Sequence, residues 1–405
     1  MPTTTLLTGA SALIDATIVS DRMIMVQQDR ITAVGTADDP MINNALTTGS
    51  ADIIDLGGAL VSPGLVDLHV HGAAGAAFEK ADTAGVALAH LASCGVTSVM
   101  ASLASAPMES MLNTSTALDA RTKGDAEARL IGVHLEGPFI AVDQCGAHDP
   151  QFLISPTADD VARIADLAEV VRQITIAPEL IGAVEATRRW SEADILVAAG
   201  HSSATAEHLH PCIDAGLRHA THLWSGMGTF FRRGPYRVPG LVEECLASDV
   251  LTAEVIADGR HLPPALLEIA RRAVGERLIM VSDGTIGTGL PEGTRYQLST
   301  VEAVVDDGVG KIVGQDAFAG STTDLAQMVR HLHQNVGWPL AEVLDMATRR
   351  PADIVGRDDL GRLSPGALAD LIILDAQQQV TGTMINGQWI GPAPTAVPTT
   401  TRENS

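Results

Sequence analysis

Eight short apolar runs recur between residues 65 and 284, and amphipathic stretches of helical length separate most of them. They are "LVDLHVHG", "VTSVMASL", "RLIGVHLEG", "QITIAPE", "ILVAAGHS", "LRHATHLWSG", "LTAEVIADG" and "RLIMVSDG". Runs of this length, apolar on both faces, read as strands of a buried parallel sheet. Among the separators, "TADDVARIADLAEVV" and "LPPALLEIARRAVG" carry helical spacing, and Thr157 stands where it caps the first. Strand and helix alternating eight times spell a (β/α)8 barrel, an α/β fold. A doubly wound sheet is the alternative, but no G-x-G-x-x-G opens a helix after any of these runs.

The rest of the chain has a different rhythm. Residues 1–62 are short, β-branched and turn-rich, and "ADLIILDAQQQVTGTMINGQWI" near the end returns to that character. The expectation is a small β-sandwich built from both chain ends, 1–62 plus 366–391, beside a barrel at 63–365. The Pro- and Thr-rich stretch 392–405 reads as a disordered tail.

Charge and cysteine usage bound the partners. The net charge is −23 and Lys80, Lys123 and Lys311 are the only lysines, a surface that repels nucleic acid and anionic membrane. No run of 18 apolar residues indicates a transmembrane helix, and "MPTTTLLTGA" lacks the features of a signal peptide. Cys94, Cys145, Cys212 and Cys245 form no C-x-x-C pair, which agrees with a reduced cytoplasmic setting.

In a barrel of this kind the active site lies at the C-terminal ends of the strands. Those ends carry His69 and His71, Glu136, His201, His222 and Asp283. Each alone has a bland explanation, as a cap or a hydrogen-bonded rim residue. Four histidines and two carboxylates at one mouth by accident is much less probable. Imidazole and carboxylate without thiolate suit Zn²⁺ first, with Fe²⁺ or another divalent ion as alternatives, in one or two sites. His134 lies a layer deeper on the strand of Glu136 and reads as a core histidine. His219, three residues before His222, is expected to pack outward. Glu179 is open between anchoring a loop and supporting the site, and Cys145 has no basic partner to make it a nucleophile. The glycine-rich "SDGTIGTGLPEG" reads either as a lid over the mouth or as a tight turn.

In this order the residues resemble the amidohydrolase superfamily, and more narrowly the N-acetylglucosamine-6-phosphate deacetylase family. The resemblance runs over nearly the whole chain, and "HLEGPF" with "AGHS", "THL" and "ADGRH" is its most specific part. It implies that Glu136, His201 and His222 hold the principal metal and that His69 and His71 help hold a second. It further implies that Asp283 is the catalytic acid and base, that His148 in "GAHDP" reaches the substrate carbonyl, and that His261 lies near the sugar phosphate. Arg237 matches an arginine that crosses to the phosphate of the neighbouring subunit in a homodimer. A lysine-bridged pair of metals, the arrangement of other superfamily members, needs a lysine at the fourth strand, where this chain has "TIAPEL".

The departures lie on the substrate side. Ser225 and Gly226 replace an Asn-Ala pair that helps bind the phosphate, and "RVPG" replaces R-E-P-G. Cys145 and Asp149 stand where lysine and asparagine are common. Arg232 and Arg233 in the longer loop "GTFFRRGPYRVPG" compensate as phosphate contacts, bind another anion, or form a solvated surface run. The expected reaction is hydrolysis of N-acetylglucosamine-6-phosphate to glucosamine-6-phosphate and acetate. A deacetylase of another N-acyl amino sugar is the enzymatic alternative. A non-catalytic metal-binding barrel fits less well, because every ligand and acid/base position is filled.

Overall fold

The computed structural model describes residues 4–124, 126–298 and 300–394. All eight apolar runs form strands of one parallel sheet: β1 (Leu65–Val70), β2 (Val96–Ala104), β3 (Arg129–Glu136), β4 (Val171–Ile176), β5 (Leu196–Ala199), β6 (His219–Ala220), β7 (Thr252–Ile256) and β8 (Leu278–Val281). They pair in sequence order, and the sheet curls until its ends meet. Asp283 N donates to His69 O at 2.8 Å and His71 N to Gly284 O at 2.7 Å. Buried Asp67 adds a side-chain seam: its Oδ2 accepts from Ser282 Oγ at 2.5 Å, and its Oδ1 accepts from the Ser282 N–H. Burial pushes the Asp67 carboxyl up to about 6, the Ser282 donors opposing.

Helices pack outside the strands because each carries one apolar stripe. Helix Ala158–Ala165 begins at a capping box in which Asp160 N donates to Thr157 Oγ1, and it buries Ile164 and Ala165. The largest core cluster fills the barrel and the layer between strands and helices, with Leu68, Val99, Ile174, Val197, Val255 and Trp190 all 0–1% exposed.

Both chain ends contribute to a second eight-stranded sheet. The strand order is Gln388–Trp389, Val380–Ile385, Leu371–Leu374, Leu60–Pro63, Thr4–Ile14, Thr17–Gln27, Arg30–Gly35, with Asp52–Asp55 also on Thr4–Ile14. Alternation along Thr4–Ile14 sends Leu6 and Leu7 to opposite faces. Leu6 packs with Ile42 of helix Pro40–Thr48, and Leu7 with Val61, Leu371 and Ile373. The reading of 392–405 as a tail falls outside the described residues from 395 onward.

One element stands outside the strand-and-helix alternation. Between β8 and the last helices, Arg295–Leu298, Val301–Asp306, Val309–Ile312 and Phe318–Ser321 form a four-stranded antiparallel sheet. The bridge from Gly284 to Ser321 holds it over the barrel mouth. The glycine-rich stretch between β8 and this sheet is a pinned turn. Its Thr288 and Ile286 carbonyls accept from Ala74 and Gly75, and Thr285 Oγ1 lies 3.0 Å from Tyr296 OH.

Candidate metal centre

The parallel barrel brings the six strand-end side chains together, five of them gathered about the Glu136 carboxylate. Glu136 Oε1 lies 3.1 Å from His201 Nε2 and 2.9 Å from His222 Nε2. Glu136 Oε2 lies 3.0 Å from His71 Nε2 and 3.4 Å from both His69 Nε2 and His148 Nε2. Asp283 Oδ1 completes the ring at 3.5 Å from the Nε2 atoms of His69 and His71. Two of these residues, each two positions past its strand, have positive φ, His201 at 45° and Asp283 at 46°. Non-glycine residues seldom adopt that conformation, and here it turns each side chain sharply across the mouth.

The donor atoms suit a cation. His201 and His222 approach at 3.2 Å through their Nε2 atoms, and His69 and His71 at 3.3 Å. Ligands of one tetrahedral ion at about 2.1 Å stand about 3.4 Å apart. Hydrogen bonds at the far side of two rings select the tautomer that leaves Nε2 free. His201 Nδ1 donates to Gln144 O at 2.7 Å, and His69 Nδ1 lies 3.0 Å from Glu254 Oε2. His71 Nδ1 and His222 Nδ1 are buried and meet no partner among the described residues. Burial pushes the Glu136 carboxyl up, but the His69 charge and hydrogen bonds from His148, His201 and His222 outweigh it, holding it well below the usual range.

His148 lies as close as a ligand, within one cluster with Glu136 and His201, but its far side is arranged in the opposite sense. The Ser105 backbone N–H donates to His148 Nδ1 at 3.1 Å. Nδ1 is therefore an acceptor, and burial keeps the ring neutral by lowering its pKa. The proton of that neutral ring sits on Nε2, facing the pocket as a donor. His148 is built to hydrogen-bond an oxygen and is a poor metal ligand.

Sequence reasoning missed Glu254. Its Oε2 meets His69 Nδ1 and accepts from the His222 backbone N–H at 3.0 Å, and its Oε1 meets His219 Nε2 at 3.0 Å and the Gln173 amide at 3.2 Å. The signal was an acidic residue inside the apolar run "LTAEVIADG". His219 corrects the expectation that it packs outward. It is fully buried and faces inward, because β6 ends at Ala220 and the chain turns before His222, so period-two alternation does not span the two. His134 is the core histidine expected, bonded to Ser102 Oγ at 2.9 Å and Thr175 Oγ1 at 2.8 Å. Glu179 anchors a loop by accepting from Ser202 Oγ and Ser203 N.

A pocket of about 270 Å³ opens above the cluster. His71, Glu136, His148, His201, His222 and Asp283 form its floor, and His261, Ser225 and Gly226 line one side. Gly226 has φ +55°, and a Cβ there would stand 2.6 Å from His201 Nδ1, so a side chain at this position would force the turn or the His201 ring to shift. His261 Nδ1 is held at 2.7 Å by Asp258 Oδ2, which also accepts from Ser321 Oγ at 3.0 Å. Among the described residues no arginine or lysine lines the pocket. Arg232, Arg233 and Arg237 are not brought to it. They are exposed on the hairpin Phe231–Arg233/Tyr236–Val238, where Arg232 pairs with Arg237.

Residues 60–390 match the amidohydrolase family. The N-acetylglucosamine-6-phosphate deacetylase of Bos taurus is 34% identical over 346 residues, 83% of this chain and 84% of that protein. An N-acetylgalactosamine-6-phosphate deacetylase of Escherichia coli is 30% identical over 334 residues, 81% of this chain and 87% of that one. Among solved structures, a mutant N-acetyl-D-glucosamine-6-phosphate deacetylase from Mycobacterium smegmatis, in complex with N-acetyl-D-glucosamine-6-phosphate, superposes with a TM-score of 0.86. It is 33% identical, with 96% of this chain and 99% of that chain covered.

Proposed function

We propose that this chain, which belongs to the amidohydrolase family and to its N-acetylglucosamine-6-phosphate deacetylase branch, hydrolyses N-acetylglucosamine-6-phosphate to glucosamine-6-phosphate and acetate. The observation that carries the reading is the convergence on Glu136 of four histidine Nε2 atoms, with Asp283 beside them. Glu136, His201 and His222 would hold one divalent ion, and His69 and His71 with the other Glu136 oxygen a second. The nitrogen and oxygen donors suit Zn²⁺ first, then Fe²⁺. When bound, a divalent ion lowers the pKa of water from ~15.7 to about 7, which makes a nucleophile strong enough for an unactivated amide.

The chain's own groups do the rest. Burial raises the Asp283 carboxyl, but the His71 hydrogen bond and the charges of His69 and His222 bring it below its usual value. Asp283 takes a proton from the attacking water. It then gives that proton to the amide nitrogen as the C–N bond breaks, because an amine leaves poorly unless protonated. His148 donates its Nε2 proton in a hydrogen bond to the carbonyl oxygen, where negative charge develops.

His261 supplies the cation for the phosphate. Burial lowers its pKa, but Asp258, with a further contribution from Asp283, outweighs this and raises it above 6.5. The remaining positive charge comes from Arg232, Arg233 and Arg237 of a second subunit in a homodimer. That reading is supported by a pocket without its own arginine and by a hairpin tip that exposes Phe230, Phe231 and Tyr236 beside those arginines. A different epimer is the second reading, favoured by Ser225 and Gly226 in place of the usual pair and by the relative named as an N-acetylgalactosamine-6-phosphate deacetylase. Cytoplasmic residence belongs to the same proposal. No helix among the described residues is long and apolar enough to cross a membrane, and all four cysteines are unpaired.

Acetate release tests the substrate. N-acetylglucosamine-6-phosphate is expected to exceed unphosphorylated N-acetylglucosamine in kcat/KM by roughly 10- to 100-fold, the worth of one or two charge-assisted hydrogen bonds. The preference should be full at low pH and fade as pH rises through the raised His261 pKa, where the imidazolium is lost. Asp258→Asn should move that fading to lower pH. A pH-independent preference in both proteins would remove His261 from phosphate binding, and no preference at all would move the substrate elsewhere.

A further inference from the structure

The active-site pocket has a neighbour. A groove of about 500 Å³ runs beside it along the barrel mouth, and Ala104 and Leu298 line both. Small apolar side chains make most of the groove: Ala74, Ala76, Ala77, Ala106, Val86 and Ile286. Its acidic wall residue, Glu79, accepts from the Ala104 backbone N–H at 3.2 Å and so braces the end of β2. Ser105, which also lines the groove, is the residue that holds His148 Nδ1.

The barrel order says which end of a substrate faces this groove. Ala104 ends β2, and Ser225 and Gly226 follow β6, four strands away in an eight-stranded barrel and thus across the mouth. His261, following β7, is on the polar side with them. An amide held at the cluster, with its sugar on the β6–β7 side, directs its acyl carbon towards β2. There the wall is Ala104 and Leu298, with the groove behind them, apolar for the most part and edged by Glu79, Lys80 and Thr83.

We infer that the groove receives the acyl chain, so that the enzyme hydrolyses N-acyl amino sugar phosphates with chains longer than acetyl. This rests on the deacetylase reading above. The balance is that of any amide hydrolysis. The C–N bond breaks, water's oxygen joins the acyl carbon to give a carboxylate, and the amino sugar leaves with the proton that Asp283 returns.

The experiment is a series of glucosamine-6-phosphates bearing N-acetyl, N-propionyl, N-butyryl and N-hexanoyl groups, assayed with the metal-loaded full chain. A closed acetyl pocket rejects one added methylene by about 10- to 200-fold. If the chain passes Ala104 and Leu298 into the groove, kcat/KM should stay within about ten-fold of the acetyl value through hexanoyl. Ala106→Phe, which fills the groove, should lower the hexanoyl-to-acetyl ratio by at least about ten-fold. Thr83→Trp, at an exposed position on the outer rim, reads the same ratio if the first variant fails to fold. Acetyl turnover with a steep loss at propionyl overturns the inference and leaves the deacetylase reading intact. Long-chain turnover whose ratio neither variant changes also overturns it. No turnover of any member overturns both.

Discussion

Asp283→Asn is expected to lower kcat for N-acetylglucosamine-6-phosphate by about 10²- to 10⁴-fold, the range for loss of a general acid–base group. The substitution keeps size and polarity but removes the negative charge that accepts water's proton, and an amide cannot return a proton to the departing amine. Asp283 Oδ1 lies 3.5 Å from the Nε2 atoms of His69 and His71, close to the spacing of ligands on one ion, so metal content has to be read beside kcat. Metal analysis and single-turnover kinetics on the same preparation separate the two effects. A variant that retains its metal and full kcat would remove Asp283 from proton transfer. One that loses metal in proportion to activity would make it chiefly a ligand.

Glu136→Gln should act differently, abolishing activity through the loss of metal. Each Glu136 oxygen serves a different pair of histidines, Oε1 with His201 and His222, Oε2 with His69 and His71. A glutamine leaves one carbonyl oxygen and turns an N–H donor towards the other pair, so neither half keeps its charge and one loses its acceptor. Metal bound per chain should fall to less than half. Activity should fall by at least about 10³-fold, since such an ion supplies several kcal/mol at about 1.4 kcal/mol per factor of ten. Elemental analysis after gel filtration decides it, and wild-type metal content in this variant would show that the cluster is not organised around Glu136.

The legible part of this molecule is what apolar patterning controls. Each barrel strand lies in a short, largely apolar run, and the polar residues at the C-terminal ends of those runs include the site: His69 and His71, Glu136, His201, His222, Asp283. What escaped depends on interactions that periodicity does not encode. Glu254 sits inside a run and survives burial only because His69, His219, Gln173 and the His222 backbone all meet it. Turning His219 inward requires the kink after Ala220, and nothing in "LRHATHLW" signals where an extended chain stops. The sheet at 295–321 has the alternation of a one-sided antiparallel sheet, with Ala303 and Val305 inward and Glu302 outward, a pattern foreign to the strand count of a barrel. The tautomer of His148 is set by a backbone N–H from another strand end, which no spacing in the sequence records.

The most direct measurement is a zinc titration of metal-stripped protein, followed by acetate release from N-acetylglucosamine-6-phosphate. The account predicts no release without metal, rising activity with added Zn²⁺ and a plateau at two ions per chain. Full activity in protein shown by elemental analysis to be metal-free would contradict it.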